Sequence, residues 1–243
     1  MKYIGEKISD KVEQYYNSGK VVATNFLDPS EIVQVMGEVK YVEHFMWGGF
    51  DDAERKIIFI GVEGLEELGE SVNDFITLLR VENTNGDLSH RAVLGSVLGL
   101  GIKREMLGDI IVQNNICDII ISKTIAEYVL NNLKAIGRDK ISIKEISFDE
   151  LIIPEDSSKE VKTTVSSLRV DNIISAGYGV SREKSSALVK GELVKLNHVV
   201  IKSPVKTVHE GDIISVRGKG RLEVREIGGT SKSGRIKIVL ARK

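Results

Sequence analysis

The run LGSVLGLGIKRE, residues 94–105, holds three glycines and then a basic pair, which are residue types that bind phosphate. A dinucleotide fingerprint requires G-x-G-x-x-G, but the third position after Gly99 and Gly101 is Arg104. The G-x-x-x-x-G-K-[ST] pattern fails too, because no glycine stands directly before a Lys-Ser or Lys-Thr pair. We therefore interpret these glycines as the end of a helix and its left-handed stop. A methyltransferase needs a glycine-rich loop after a parallel strand, and the failed fingerprint removes the best candidate for that loop.

Residue types that ligate metals or act as nucleophiles are few and scattered. Cys117 is the only cysteine and lies between apolar neighbours, so we predict a buried structural thiol rather than a nucleophile. The histidines show no ligand spacing with one another or with this cysteine: His44, His90, His198 and His209. The sequence therefore predicts no metal and no other cofactor.

Length and hydropathy indicate an ordinary water-soluble chain. With 243 residues, 42% of them hydrophobic, it can bury one large core or two to three small ones. No apolar run approaches the roughly 18 to 20 residues that a bilayer helix needs. The opening MKYIGEKISDKVEQYY lacks the apolar centre of a secretory signal. We therefore expect a cytoplasmic protein.

Charge is distributed unevenly along the chain. Residues 1–161 hold 17 Lys/Arg against 28 Asp/Glu, a balance of −11, whereas residues 162–243 hold 17 against 7, a balance of +10. Such asymmetry suggests that the basic end meets a polyanion, since like charges on a small domain repel one another without a counter-charge. The alternative is that the basic end docks on the acidic remainder of the same chain.

The elements that must position these residues fall into three predicted domains. Residues 1–70 mix helices with a strand: a helix through KISDKVEQYYNSG ends at Gly19, a second begins with Asp28 as cap and Pro29 in its first turn, and a strand follows at KIIFIGVE. The preceding FMWGGFDDAERK predicts a tight turn into that strand.

Residues 71–153 give a more regular order. A strand at DFITLLRVE precedes a helix that Ser89 caps, two strands surround Asn114 and Asn115, a further helix ends at Gly137, and KISIKEISF is the last strand. The resulting β-α-β-β-α-β order is typical of ferredoxin-like folds, to which RNA-recognition domains belong.

Residues 154–165 are polar and charged and predict a linker. The third domain, 166–243, begins with two helices, of which the first stops at Gly177 and the second runs from a Ser181 cap to Gly191. Alternating strands and a final hairpin complete a small antiparallel sheet. The predicted fold class is α+β, with three small domains.

Cations at the start of the second helix suggest a phosphate site. Arg182 and Lys184 oppose the helix dipole there, and a phosphate bound at the free amides behind Ser181 would offset that cost. Arg182, Ser186 and Lys190 recur every four residues and form one polar stripe. On the opposite, buried side of the helix we expect Leu188, flanked by Ala187 and Val189. The alternative is that these cations extend into water.

Further cations lie on the predicted strands and in a turn. Lys195, Arg217 and Arg221 alternate with apolar residues, so they are expected on the exposed side of the sheet. The turn GKGR, 218–221, adds Lys219, and its glycines would allow the backbone close to a ligand. In the middle domain, possible secondary RNA contacts are Arg91, Lys103 and Arg104, although that domain lacks the aromatic pair on which such sheets stack bases.

Two sets of motifs resemble known proteins. The run L-R-V-D…G-V-S-R-x-K-x-x-A-L-V-K, followed by GDIISVRG, closely resembles the RNA-binding module named after small-subunit ribosomal protein S-four. Together with FMWGGFDDAERK, SHRAVLGSVLGLGIKREMLGDIIV and EIGGTSKSGRIKI, it makes nearly the whole chain similar to the YlmH family of bacterial proteins.

This resemblance implies a non-enzymatic binder of structured RNA, rRNA or tRNA, linked to the large ribosomal subunit and to peptidyl-tRNA on stalled, split ribosomes. No membrane or small-molecule substrate is implied. The RNA-facing positions of the module fall here on Arg169, Ser181, Arg182, Lys184, Lys190 and Lys195. The usual asparagine-glycine turn of the module is altered, since His198 follows Asn197.

Two other functions are alternatives. The module also occurs in pseudouridine synthases, whose Arg-Leu-Asp motif carries the catalytic aspartate, and Arg169, Val170 and Asp171 imitate that motif. Here the triplet lies in the first helix of the module itself, and no separate catalytic domain of adequate length remains. The second alternative is a protein adaptor for translation or cell-division factors, with RNA binding secondary.

Overall fold

The computed structural model describes residues 2–154 and 158–243, with side chains from residue 8 onward. It divides into two compact units, Met1–Pro154 and Glu155–Lys243. Among the helices of the described residues, none is both long and apolar enough to cross a membrane.

The amino-terminal part of the first unit is a small sheet under two helices. Its elements are α1 (Lys2–Ser18), β1 (Val22–Ala23), α2 (Pro29–Val39), β2 (His44–Trp47), β3 (Ile57–Ile60) and α3 (Leu65–Leu68). As predicted, α1 ends before Gly19, and Asp28 caps α2, where its carboxylate accepts the Glu31 N–H at 2.9 Å. The sheet is antiparallel in the order β1-β3-β2. The FMW of the predicted turn belongs to β2, so only the residues after it form the turn into β3.

The rest of the first unit confirms the predicted β-α-β-β-α-β order. Its elements are β4 (Ile76–Asn83), α4 (His90–Gly99), β5 (Leu107–Gln113), β6 (Ile116–Ser122), α5 (Lys123–Asn132), β7 (Ala135–Ile136) and β8 (Asp139–Ile146). They form an antiparallel sheet in the order β5-β6-β4-β8-β7, which is the ferredoxin-like arrangement with one added strand.

The predicted end of α5 at Gly137 is wrong. The helix ends at Asn132, because Leu133 and Ile136 are buried in the core and the chain between them becomes the short strand β7 against β8. Gly137, at φ +62°, makes the turn between those two strands. Burial of two apolar side chains here outweighs the helical propensity of the sequence.

Both faces of the five-stranded sheet are covered. On one face Leu79 and Ile119 pack in a core with α4 and α5. On the other, Leu78 and Ile120 pack against Phe59 of the amino-terminal sheet. The predicted segments 1–70 and 71–153 therefore share a core within one compact unit.

The second unit packs two helices on one sheet. Its elements are β9 (Lys159–Val165), α6 (Val170–Tyr178), α7 (Arg182–Lys190), β10 (Val194–Leu196), β11 (Val199–Val200), β12 (Ile213–Val216), β13 (Gly220–Thr230) and β14 (Ile236–Arg242). The antiparallel order is β11-β10-β12-β13-β14-β9. The limits of α7, Ser181 and Gly191, are as predicted. The first helix instead ends at Tyr178, and Gly179 at φ +64° is its left-handed stop. Gly177 lies inside the helix, where a Cβ would meet Leu222 at 2.5 Å.

The predicted linker 154–165 is wrong over its second half. Residues 155–157 lie outside the described part of the chain, but Lys159–Val165 is strand β9, paired along its whole length with β14. Val161 and Val165 turn toward the domain core while charged neighbours stay in water. The polar, charged composition of this segment therefore concealed a strand in which inward-facing and outward-facing residues alternate.

Candidate nucleic-acid interface

Two of the predicted RNA-binding arginines meet on one buried carboxylate. Arg169, the N-cap residue of α6, donates from Nε and Nη2 to the two carboxylate oxygens of Asp171, at 3.1 and 2.8 Å. Arg182, the first residue of α7, donates from Nε to Asp171 at 3.4 Å. The Asp171 side chain is 2% exposed and those of Arg169 and Arg182 are 33% and 54% exposed. We name these three residues the arginine clasp.

The clasp fixes two cations at the surface and leaves a surplus of one positive charge. A buried carboxylate without partners would cost several kcal/mol, whereas one that accepts charge-assisted hydrogen bonds from two guanidinium groups is compensated. Arg169 binds Asp171 through Nε and Nη2, and Arg182 binds it through Nε. Each guanidinium group therefore retains N–H groups that can donate to a second acceptor. Geometry and charge together suit a phosphate oxygen.

The start of α7 lies beside the clasp. The Ser181 hydroxyl accepts the Lys184 N–H at 3.2 Å, so this side chain caps the helix and thereby fixes where its positive end lies. The side chains of Lys184 and Lys190 are exposed. The buried residues of α7 are Ser185 and Val189, while Ala187 is exposed, so the prediction that Ala187 flanks the buried side is wrong. The buried face is rotated relative to the predicted one.

Other predicted cations form a row on the sheet. Lys195 pairs with Ser215, which in turn pairs with Arg221, so the three share one face across β10, β12 and β13. Val194 and Leu196, on either side of Lys195, belong to the core under the helices. This row therefore lies on the sheet face that points away from α6 and α7. The structure does not bring it together with the clasp.

The GKGR turn serves the chain itself. A Cβ at Gly220 would meet the Lys243 carbonyl oxygen at 2.3 Å, so this glycine admits a close backbone neighbour rather than a ligand. Lys219 lies over the Tyr178 ring, with Nζ 5.6 Å from the ring centroid. Arg217 is exposed at the end of β12.

The altered asparagine-glycine turn keeps its shape. Asn197 and His198 have φ values of +47° and +67°, so both adopt the left-handed conformation that a two-residue hairpin turn requires. The Asn197 side chain donates to Asp212 at 2.7 Å and accepts the Ile213 N–H at 2.9 Å. These bonds tie the turn to β12 although no glycine is present.

The three secondary candidates in the first unit differ. Arg91 and Lys103 are exposed. Arg104 is turned inward, where its Nη1 donates to the carbonyl oxygens of Leu107 and Gly108 at 2.7 and 3.1 Å. Burial, and next the charge of nearby Arg55, lowers the pKa of Arg104 to about 10. Its hydrogen bonds hold the start of β5 rather than a ligand.

The ferredoxin-like sheet has no open face for bases. RNA-recognition domains stack bases on the sheet face that their helices leave free. Here that face carries Leu78, Ile120 and the buried pair of Arg80 and Asp118, under Phe26 and its neighbours. This packing explains why the aromatic pair is missing from the sequence.

Two acidic residues with a structural role escaped the prediction. Asp171 stands two positions after Arg169 at the start of a helix, and this spacing is the sequence feature that could have predicted the ion pair. Asp118 binds Arg80 with two hydrogen bonds of 2.7 Å, and the Arg80 guanidinium also donates to the Glu150 carbonyl. The hydrogen bond to Asp118 raises the pKa of Arg80. No local sequence pattern predicts this ion pair, because Arg80 and Asp118 lie on two different, neighbouring strands.

The remaining residues with reactive or metal-binding side chains are Cys117 and the possible metal ligands. Cys117 is buried, as predicted, and desolvation, with Asp118 adding to it, raises the pKa of its thiol to about 12. Within residues 2–154 and 158–243, no three His, Cys, Asp or Glu side chains gather into a group that could hold a metal ion.

Family models match three segments of the chain. They are described as "YlmH, N-terminal" at residues 5–65, "Putative RNA-binding domain in YlmH" at 72–150 and "S4 domain" at 168–214. The chain is also 34% identical over 235 residues to the "Ribosome-associated protein quality control protein P2" of Bacillus subtilis (strain 168), with 95% of this chain and 89% of the relative covered.

A solved structure shares the fold of part of the chain. "Cell division protein ylmH from Streptococcus pneumoniae" superposes with a TM-score of 0.54 at 22% identity, over 62% of this chain and 93% of the other. The fold and the domain matches define an α+β protein that contains RNA-binding domains. The chain belongs to the YlmH family.

Proposed function

We propose that this chain is a non-enzymatic, cytoplasmic protein that docks on structured rRNA or tRNA, on the large ribosomal subunit, in the quality control of stalled ribosomes. The observation that carries the proposal is the arginine clasp beside the amino-terminal end of α7. The name of the Bacillus subtilis relative, which speaks of ribosome-associated quality control, supports the ribosomal setting.

Phosphates are the natural ligand of such a site. The second unit holds 18 Lys/Arg against 10 Asp/Glu, a balance of +8, so a polyanion relieves its self-repulsion. A phosphate at α7 would meet the helix dipole, the two clasp arginines and Lys184 together. Such contacts read the shape of the RNA backbone, and base contacts would be few.

Chemistry on the RNA is not part of the proposal. The aspartate that imitates the pseudouridine synthase motif is Asp171, which is buried and engaged by two arginines. It is therefore poorly placed to attack a base. The first unit carries neither the dinucleotide nor the P-loop glycine pattern in its sequence.

Salt-dependent binding to tRNA tests the proposal. If five phosphates are neutralised, log K falls by about 4 per decade of salt. The double variant Arg182→Glu with Lys184→Glu should bind roughly 10- to 100-fold more weakly and lower that slope by about 2. The matched control is Lys20→Glu with Lys140→Glu, an equal charge change at exposed positions of the first unit, which should alter affinity less than about 3-fold. A flat salt titration would refute phosphate docking.

The adaptor function is the second candidate, and an acidic groove on the first unit favours it. Co-sedimentation with ribosomal subunits separates the two. If the double variant at 182 and 184 travels with the subunits as the unmodified chain does, the association is through protein contacts. If it stays in the supernatant while the control sediments, the RNA interface carries it.

A further inference from the structure

The amino-terminal sheet ends in an edge strand with half-buried aromatic residues. Within the described residues, β2 pairs only with β3. The Glu43 carbonyl accepts the Gly61 N–H at 2.7 Å, and backbone groups alternate along an antiparallel pair. The N–H and C=O groups of His44 and Met46 therefore point outward. Such an edge is a template for one more strand.

A groove of about 660 Å³ runs along this edge, lined by Phe45, Met46 and Trp47 and by Leu65 of α3. A second groove of about 600 Å³ shares Trp47 and Leu65 with the first. Because both border Trp47 and Leu65, we refer to the two grooves jointly as the Trp47 groove. Leu65 is 37% exposed, so apolar surface is available in it.

The rim of the Trp47 groove is acidic. Its carboxylates are Asp51, Glu63, Glu66, Glu67, Glu70, Glu145, Asp149 and Glu150. Against these eight stand two lysines, both engaged: Lys56 donates to the Asp51 carbonyl at 3.3 Å, and Lys123 binds Glu145 at 2.5 Å. A surplus of six negative charges repels RNA and attracts a cationic chain.

We propose that the Trp47 groove binds an extended, Lys/Arg-rich segment of a partner protein, which adds to β2 as a further strand. Backbone hydrogen bonds to His44 and Met46 supply register, and alternate side chains face the groove. Cationic side chains then lie between the rim carboxylates and over the Trp47 ring. The acidic unit thus has a partner of its own, independent of RNA binding by the second unit.

Tryptophan fluorescence tests the proposal directly, because Trp47 is the only tryptophan of the chain. The probe is a twelve-residue peptide that alternates lysine with threonine, titrated into the full-length protein. We expect a saturable change of Trp47 emission. A peptide with proline in place of each threonine keeps the charge but loses every second backbone N–H and has φ fixed at about −65° at each proline, which disfavours a regular strand, and should bind at least ten-fold more weakly.

Matched variants separate the groove from general attraction to an acidic domain. Glu63→Lys with Glu66→Lys should raise the Kd at least ten-fold and leave the thermal unfolding midpoint nearly unchanged. Asp87→Lys with Glu127→Lys makes the same charge change at exposed positions outside the groove and should leave the Kd within two-fold. Unchanged emission with the threonine peptide, equal affinity for the proline peptide, or equal losses in both double variants would each overturn the proposal.

Discussion

The buried Asp171 carboxylate accepts hydrogen bonds from two arginines and so holds their orientation, while its negative charge reduces the attraction of the domain for RNA. Removing this charge therefore distinguishes the two effects. If Asp171 positions the arginines, Asp171→Asn should weaken binding to folded tRNA about 5- to 10-fold, because Arg169 and Arg182 lose their anchor. Binding to single-stranded poly(U) should rise slightly, since the domain gains one positive charge. The ratio of the two affinities, measured at one salt concentration, is the diagnostic quantity.

The control for this residue is Asp212→Asn. It removes one negative charge from the same domain, but Asp212 binds Asn197 of the β10–β11 turn and the His209 N–H instead of the clasp. It should raise both affinities slightly and leave their ratio unchanged. If Asp171→Asn behaves in the same way, Asp171 merely neutralises charge and positions nothing.

The order of the elements was predictable wherever hydrophobic periodicity and caps agree. Ser89, Asp28 and Ser181 marked three helix starts correctly, since a cap is a local hydrogen bond. The ends that failed depend on distant packing: Gly177 is enclosed by Leu222, and α5 stops where Leu133 enters the core. Long-range packing is also why the covered sheet face and the Asp171 contacts could not be predicted from sequence.

Strand β9 is the element that changes the boundary of the second unit. A fragment of residues 158–243 should unfold cooperatively. A fragment of residues 166–243, the predicted domain, lacks β9 and the buried Val165, and leaves the β14 edge unpaired. We expect it to be less stable by about 2–4 kcal/mol. Urea unfolding of both fragments measures this difference, and equal midpoints would mean that β9 is a dispensable extension.

The two units of the molecule carry opposite net charges. The first unit holds 16 Lys/Arg against 25 Asp/Glu, a balance of −9, beside the +8 of the second. An acidic unit tethered to an RNA-binding one lowers the affinity for any polyanion that comes within its field. That penalty applies equally to all RNA, whereas phosphate contacts at the clasp and at the start of α7, as proposed above, would favour RNA of a particular shape. Because the penalty is the same for every RNA, it lowers affinity without changing the ratio of affinities for two RNAs.

The size of this penalty can be measured by removing the acidic unit. The fragment of residues 158–243 should bind poly(U) about 3- to 10-fold more tightly than the full chain at 50 mM salt, because the fragment lacks the net negative charge of the first unit and screening is weak at a Debye length of roughly 14 Å. At 500 mM salt the two affinities should converge, since the screening length falls to roughly 4 Å. A difference that persisted at high salt would indicate that the first unit blocks the RNA site by direct contact rather than by its charge.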